Sequence, residues 1–223
     1  MIAFEHIDSS IPFLKTTDTV EKGLDWMEEY KLFNLPVVGP KTKRFLGLVS
    51  ETVLLNEEGK GLLIKDIPFH SEDKAVKFED HIYEALTVIG SSDLDIVPVI
   101  DSEHKFLGLL TTKKLIDCVA KFSSISSHGG IVEVMMNTYD YSMVEIARAV
   151  ESNGAKILSS YISNVEGEVG KIKVLIKLNV DDLSLVVAEF HQLNYIVTAL
   201  YSEFETQDST EDNYRHLFKY LDL

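Results

Sequence analysis

The chain has 223 residues, 45% of them hydrophobic, and a formal net charge of −15. This composition is typical of one or two globular domains and excludes a disordered chain. The strong negative charge argues against binding to DNA, RNA or an anionic membrane surface.

Location can also be predicted from the sequence. The longest apolar runs are well short of the roughly 18 residues that a membrane span needs. The first residues lack the basic and apolar regions of a signal peptide. Cys118 is the single cysteine and can form no internal disulfide, which is typical of a reducing compartment. We therefore expect a cytoplasmic protein.

The first predicted element is an amphipathic helix that begins near residue 20. Val20, Leu24 and Met27 recur at i, i+4 and i+7, the spacing of one buried helix face. Asp18 precedes this pattern and is a candidate for the N-cap.

Two short apolar runs follow, at residues 35–38 (LPVV) and 45–50 (FLGLVS). Runs of this length between turn residues are typical of buried strands, and the polar stretch between them predicts a hairpin. The second run ends at Ser50, whose hydroxyl is placed to cap a helix over residues 51–56. With a strand before the first helix, this region reads strand, helix, strand, hairpin, strand, helix.

The same pattern returns about 62 residues later. Residues 97–100 (VPVI) correspond to the first apolar run, and residues 106–111 (FLGLLT) correspond to the second. Asp80, Ile82, Leu86 and Ile89 repeat the helix pattern. A unit of roughly 60 residues cannot cover both faces of such apolar strands by itself. We therefore expect the two units to pack together.

This double repeat, with its Leu/Val-Pro-Val strand and its Gly-x-x-Ser/Thr turn, resembles a pair of CBS domains, also called a Bateman module. The resemblance covers residues 1 to about 125. We place the first CBS domain at 1–65 and the second at 66–125. A linker of small and polar residues follows at 126–130.

The periodicity then restarts over residues 131–203 in the order strand, helix, strand, strand, helix, strand. This is the order of a ferredoxin-like βαββαβ unit. Its size, its first loop and its place after a CBS pair resemble an ACT domain. The predicted fold class is thus α+β, and the layout is similar to that of the bacterial acetoin-utilisation accessory proteins.

The last segment, residues 204–223, reads as a short linker and a C-terminal helix. Tyr214, Leu217, Phe218 and Leu221 form one apolar stripe at helical spacing. A helix this short needs a surface to pack on. We expect it to dock on the chain itself or on a second copy, with capture of a partner protein as the alternative.

The CBS resemblance implies a site for an adenosine nucleotide: AMP, ADP, ATP or S-adenosylmethionine. Nucleotide-binding members carry Gly-x-x-Ser/Thr-x-x-Asp, in which the hydroxyl meets phosphate or ribose and the Asp holds the ribose. Val53 replaces this Asp in the first copy, and Lys114 replaces it in the second. Lys114 could instead meet a phosphate. The alternative is that both hydroxyls cap helices and that Lys114 is a solvated surface residue.

By this resemblance, the ligand contacts come from the motif turns and from the strands that precede them. The candidate residues are Leu35, Pro36, Gly47, Ser50, Val97, Pro98, Val99, Gly108, Thr111 and Lys114.

The ACT-like unit departs from its family at the corresponding loop. Members that bind amino acids carry Asp-x-Pro-Gly, with backbone N–H groups that receive a carboxylate, where this chain has residues 138–141 (TYDY). Tyr141 blocks close approach to the backbone, and Asp140 repels a carboxylate. Capping of the next helix by Asp140 or Ser142 is one interpretation, and a cationic or aromatic ligand is the other.

No enzyme motif and no metal-ligand spacing is recognised in the sequence. The predicted function is regulatory and non-catalytic: the CBS pair binds an adenosine nucleotide, and the ACT-like domain dimerises or senses a metabolite. No cofactor is required, and we expect a homodimer because both families usually pair with a copy of themselves. The alternative is a ligand-free scaffold for protein–protein interaction.

Overall fold

The computed structural model describes residues 2–202, which divide into two compact units at the junction of Cys118 and Val119. The predicted C-terminal helix at 204–223 lies outside the described residues. Within residues 2–202, no helix is both long enough and apolar enough to cross a bilayer.

The first unit contains the two predicted repeats. The elements of the first repeat are β1 (Leu14–Lys15), α1 (Val20–Tyr30), β2 (Asn34–Val38), β3 (Phe45–Ser50) and α2 (Glu51–Glu57). The elements of the second repeat are β4 (Val76–Lys77), α3 (Ile82–Gly90), β5 (Ile96–Ile100), β6 (Phe106–Thr111) and α4 (Thr112–Phe122).

The two repeats have the same strand order and the same register. Each forms a three-stranded sheet, β1-β2-β3 or β4-β5-β6, with a parallel first pair and an antiparallel second pair. Val37 pairs with Gly47 in one sheet and Val99 pairs with Gly108 in the other, and in both sheets the register shifts at the next residue. The repeat predicted from the sequence is confirmed, and the structure adds a register irregularity beside the glycine of each repeat.

The repeats share one hydrophobic core, as expected from their small size. Leu14, Val37 and Leu54 of the first repeat lie in one buried cluster with Ile96 and Leu109 of the second. Each sheet face that one repeat cannot cover is therefore buried within a single unit.

The helix caps agree with the prediction at Ser50 and Thr111 but not at Asp18. Val53 N–H donates to Oγ of Ser50, and the N-cap of α1 is Thr19, whose hydroxyl accepts from Lys22 N–H. The Asp18 carboxylate instead accepts from the backbone N–H of Lys15, which closes the turn before the helix. The prediction of Asp18 as the N-cap is wrong because a side chain one residue later takes that role.

The second unit has one four-stranded sheet with order β10-β7-β9-β8 and only antiparallel neighbours. This is the ferredoxin-like arrangement predicted for residues 131–203. Its elements are β7 (Ile131–Asn137), α5 (Met143–Ser152), β8 (Ile157–Asn164), β9 (Lys171–Leu178), α6 (Ser184–Gln192) and β10 (Ile196–Tyr201).

The core of the second unit lies between its sheet and its two helices. Val134 and Val174 from the sheet pack in one cluster with Ile146 of α5 and Phe190 of α6. The helix α5 begins after Ser142, whose hydroxyl accepts from the N–H of Glu145. Of the two caps considered for this helix, Ser142 is the one observed.

Candidate functional site

A cavity of about 450 Å³ lies at the Gly-x-x-Ser turn of the first repeat. Its walls come from the start of β2, the turn from β3 into α2, the segment that precedes β4, and the turn before β5. This volume falls in the range of pockets that take small molecules, which is roughly 300 to 1,000 Å³.

Gly47 allows the segment before β4 to reach this turn. The φ of Gly47 is +137°, and a Cβ atom there would lie 3.0 Å from both the carbonyl oxygen of His70 and the Cβ of Phe69. The backbones of Leu48 and His70 exchange two hydrogen bonds, of 2.8 and 2.9 Å. The glycine thus lets the His70 segment pair closely with β3 and form one wall of the cavity.

Gly108 plays the same part in the second repeat, but the incoming segment is the N-terminal one. Asp8 N–H donates to the carbonyl of Leu109 at 2.8 Å, and a Cβ atom on Gly108, whose φ is +153°, would overlap Cγ2 of Ile7. Each repeat is therefore covered at its glycine by the segment that precedes the other repeat.

His70 lines the cavity and has one buried polar atom without a hydrogen-bond partner among the described residues. Its Nδ1 lies 2.8 Å from Oγ of Ser71, whereas its Nε2 is buried and has no hydrogen-bond partner among residues 2–202. Burial lowers the pKa of His70 from its ordinary value of 6.5, so the ring is neutral at pH 7. A neutral imidazole can either accept or donate a hydrogen bond at Nε2.

The charged residues that line this cavity are both acidic. Glu51 and Asp93 contribute carboxylates, and neither Lys nor Arg occurs among the described residues of its wall. An anion bound in this cavity would therefore meet no Lys or Arg side chain among the described wall residues.

Asp95 fixes the geometry at the start of β2 from the opposite repeat. Its carboxylate accepts from the N–H of Phe33 at 2.7 Å and from Nδ2 of Asn34 at 2.9 Å. Its carbonyl oxygen accepts from the N–H and the hydroxyl of Thr112, both at 3.0 Å. Asn34 is 5% exposed, so this bond satisfies a buried amide.

The second repeat carries a different set of polar groups beside its own turn. Oγ1 of Thr111 accepts from the N–H of Lys114 at 3.1 Å and so acts as a helix cap. Asp8 accepts from the hydroxyl and the N–H of Ser10, at 2.6 and 2.9 Å. These two bonds, together with the charge of Lys114, hold the pKa of Asp8 below its ordinary value. Lys114 is thus near enough to the Asp8 carboxylate for their charges to interact, without an ion pair between them among the described residues.

Of the ligand contacts predicted from the motif, Ser50 lines the cavity in the first repeat, and the others do not. Leu35, Val97 and Val99 are fully buried core residues, and Pro36 and Pro98 pair with Leu48 and Leu109 in the middle of their sheets. Their role as ligand contacts stays a prediction.

Sequence reasoning missed His70, Asp8 and Asp95 as residues of these two sites. All three act on the repeat to which they do not belong, so no local pattern marks them. The spacing holds one usable signal: Asp8 and His70 stand 62 residues apart, the offset of the repeat.

The second unit holds another cavity, of about 570 Å³, beside the loop that follows β7. The loop folds as a short 3₁₀ turn over Thr138–Asp140, and Nδ2 of Asn137 donates to the carboxylate of Asp140 at 2.7 Å. Tyr141 stands where the amino-acid-binding family has glycine, and its ring packs against the core of the unit. Among the described residues of the whole chain, no group of three His, Cys, Asp or Glu is placed to hold a metal ion.

Comparison with known proteins gives one family match. Residues 64–121 match the model of the CBS domain. Inosine-5'-monophosphate dehydrogenase of Methanocaldococcus jannaschii is 27% identical over 100 residues, which are 44% of this chain and 20% of that enzyme. The matched part is thus about a fifth of the length of this relative.

Similar solved structures include a CBS domain pair/ACT domain protein of Thermotoga maritima, with 21% identity and a TM-score of 0.49. The alignment covers 54% of this chain and 98% of that one. Another is CBSX2, a protein of Arabidopsis thaliana, in complex with AMP, with 20% identity, a TM-score of 0.45, and coverage of 54% of this chain and 96% of that one.

The family match covers the second repeat, and the two sheets have the same strand register. The first repeat has the same order of elements, the same strand pairing and the same glycine irregularity. Residues 64–121 therefore match a CBS domain, and the first repeat has the same architecture as the matched region.

Proposed function

We propose that this chain is a regulatory protein whose CBS pair binds an adenosine ligand in the cavity beside Ser50. The observation that carries the proposal is the buried and unpartnered Nε2 of His70 at the wall of that cavity. Val53 replaces the Asp that would hold a ribose, and His70 provides a polar partner in its place. A buried polar atom left unpaired costs roughly 1 to 3 kcal/mol, which a bound hydroxyl or ring nitrogen would recover.

The charges of the cavity favour an adenosine ligand without phosphates. The carboxylates of Glu51 and Asp93 repel a phosphate and attract a cation, and no Lys or Arg among the described wall residues offsets them. Among the four ligands predicted from the sequence, S-adenosylmethionine, with its sulfonium and ammonium groups, fits best. ADP and ATP fit worst, and uncharged adenosine serves as the reference ligand.

The second turn, at Thr111 and Lys114, is the less favourable place for a phosphate. Lys114 supplies the positive charge that was predicted there, but Asp8 offsets it. Thr111 also uses its hydroxyl oxygen to cap α4. We therefore place the main ligand site in the first repeat rather than in the second.

For the second unit we propose a separate sensing role. We propose that this ferredoxin-like unit acts as an ACT-like domain, which senses a metabolite in its cavity of about 570 Å³ and contributes to a homodimer. Light scattering at micromolar concentration should give the mass of two chains. A mass of one chain at that concentration would contradict the dimer.

A regulatory role agrees with the family, because CBS pairs typically regulate other activities and are not themselves catalysts. The similarity to the dehydrogenase covers a fifth of that enzyme, so its reaction is not part of the proposal.

The test is a thermal and calorimetric titration of the full chain with adenosine, S-adenosylmethionine, AMP and ATP. A ligand at 100 times its dissociation constant stabilises the folded state by about 2.7 kcal/mol, which is readily measured. We expect binding of S-adenosylmethionine and adenosine, and at least tenfold weaker binding of ATP.

Two variants locate the site. His70→Ala should weaken binding of adenosine about tenfold, or by about 1.4 kcal/mol. His191→Ala, which changes an exposed histidine of α6 in the other unit, should bind as the parent does. No binding of any of the four compounds would favour the ligand-free scaffold, and ATP binding more tightly than adenosine would contradict the charge argument.

A further inference from the structure

The cavity of the second unit is lined by aromatic, thioether and carboxylate side chains. It lies between the end of β7, the turn Thr138–Asp140, the start of α5 and the start of β10. Met135, Met136 and three tyrosines form the apolar wall. Its volume of about 570 Å³ is in the range of small-molecule pockets.

Two carboxylates in this cavity have no cationic partner. Asp140 accepts from Nδ2 of Asn137, and Glu145 accepts from the hydroxyl of Tyr195 at 3.0 Å. Among residues 2–202, neither carboxylate lies within ion-pair distance of a Lys, Arg or His. The one lysine of the described wall, Lys171, forms an ion pair with Glu168 outside the cavity. The wall therefore carries uncompensated negative charge.

The pKa of Tyr195, a buried residue of the cavity wall, responds to this negative charge. The residue is only 5% exposed, and its hydroxyl points at Glu145. Burial, followed by the hydrogen bond and charge of Glu145 and by the charge of Asp140, raises the pKa of Tyr195 to about 12. Both carboxylates thus act on the same point of the cavity.

The aromatic wall provides an independent argument for the kind of ligand. Tyr139 lies at the mouth with 97% of its surface exposed, so its ring has almost no packing within the chain. Tyr141 and Tyr195 line the same cavity from deeper positions. The faces of tyrosine rings attract organic cations, and each such contact contributes to their recognition.

A metal ion, a helix cap and a ligand carboxylate each fit these groups less well. Among the described residues no group of three His, Cys, Asp or Glu is placed to hold a metal ion, and the methionines and rings of this wall do not suit a hard one. Helix capping accounts for Ser142, but the Glu145 carboxylate accepts from the hydroxyl of Tyr195 rather than from the helix start. A ligand carboxylate would be repelled by both acidic side chains.

We propose that this cavity binds an organic cation, with an ammonium group held by Asp140 and Glu145 and an apolar or aromatic part held by the tyrosine rings. The proposal gives a ligand class to the sensing role proposed for the second unit, and it rests on that role. It does not depend on the adenosine site in the CBS pair.

The experiment is calorimetry on the full chain with three compounds that share a phenylethyl group. Phenethylamine carries a cation, 2-phenylethanol is its neutral counterpart, and phenylalanine adds a carboxylate to the amine. We expect phenethylamine to bind at least tenfold more tightly than either of the other two. Tetramethylammonium tests the cation without the aromatic group.

Variants assign the binding to the cavity. Asp140→Asn and Glu145→Gln each remove one negative charge with little change of shape, and each should weaken phenethylamine binding about tenfold. Glu166→Gln is the matched control, because it removes the same charge from an exposed turn outside the cavity. All three variants should bind adenosine as the parent does.

The outcomes separate the ligand class from the sensing role. If phenylalanine binds and phenethylamine does not, the sensing role stands and the cation proposal is overturned. Equal binding of phenethylamine and 2-phenylethanol, or unchanged binding in both charge variants, would also overturn it. If none of the four compounds binds at millimolar concentration, both the cation proposal and the sensing role proposed for this cavity fail.

Discussion

The two repeats of the first unit have one backbone plan but different polar groups at their turns. The first turn is covered by the segment that brings His70 and Ser71, and the second by the segment that brings Asp8 and Ser10. In both repeats a glycine admits the segment. The Gly-x-x-Ser/Thr motif thus provides the same frame in both repeats, while a segment from the other repeat supplies different polar groups beside each turn.

The largest effect on stability is expected from replacing Gly108, the motif glycine of the second repeat, by alanine. Gly108→Ala would place a Cβ atom on Ile7 and strain a backbone with φ of +153°, and we expect it to lower the unfolding free energy by about 2 to 4 kcal/mol. Urea denaturation measures the change. Combining it with Ile7→Ala should recover part of the loss.

The control for this change is Gly59→Ala. Gly59 has a φ of +74° but no atom within 4 Å of the added Cβ, so we expect a loss of only about 1 kcal/mol from the backbone conformation. Equal losses at Gly59 and Gly108 would show that close approach of the Ile7 segment does not matter.

The next effect concerns the charge of the first turn. Removing both carboxylates with Glu51→Gln and Asp93→Asn should raise the affinity for ATP relative to adenosine about tenfold, because repulsion of the phosphates is lost. Calorimetry with both ligands gives this ratio. Glu28→Gln, on the exposed side of α1, should leave the ratio as it is in the parent. An unchanged ratio in the double variant would contradict the assignment of the ligand to this cavity.

A smaller effect should appear at the second turn. Asp8→Asn frees Lys114 from its opposing charge, and we expect severalfold tighter binding of AMP by the variant. Adding Thr111→Ala and Lys114→Glu should abolish this gain. If AMP affinity does not respond to Asp8→Asn, the carboxylate is not what weakens the second turn as a phosphate site.

The smallest effect is a pH dependence from His70. Because its pKa in the folded state is below the unfolded value of 6.5, the unfolded chain binds more protons as the pH falls below 6.5. The contribution of His70 to stability is thus complete above pH 6.5 and declines as the pH falls toward its folded pKa. Urea denaturation between pH 7 and 5 should show a shallower decline for His70→Gln than for the parent.

His191→Gln serves as the control for this pH series. It replaces an exposed histidine of the second unit by the same residue type as in His70→Gln. A decline as steep in His70→Gln as in the parent would show that His70 makes no measurable contribution.

Most of the fold could be predicted from the sequence because the same pattern of apolar and turn residues occurs twice. The strand runs at 45–50 and 106–111 match β3 and β6 residue for residue, and the caps at Ser50 and Thr111 are local features of the helix start. The order of elements over 131–203 likewise predicts the ferredoxin-like sheet, since apolar periodicity survives in each element.

The candidate site was harder to predict because its groups come from distant parts of the chain. Asp95 bonds to Phe33, 62 residues away, and His70 meets Leu48 through backbone atoms that carry no sequence signal. Asp18 shows the same limit at short range: two neighbouring residues could both cap α1, and the turn at Lys15 decided between them.

The exchange of segments at the two glycines has a consequence for how this module could have arisen. A chain with a single repeat would leave its own glycine uncovered, and the segment that fits there would belong to a second identical chain. Two such chains would complete each other symmetrically, as in a domain-swapped dimer. In this chain both halves lie in one polypeptide, and because the two covering segments are not identical, one carries His70 while the other carries Asp8.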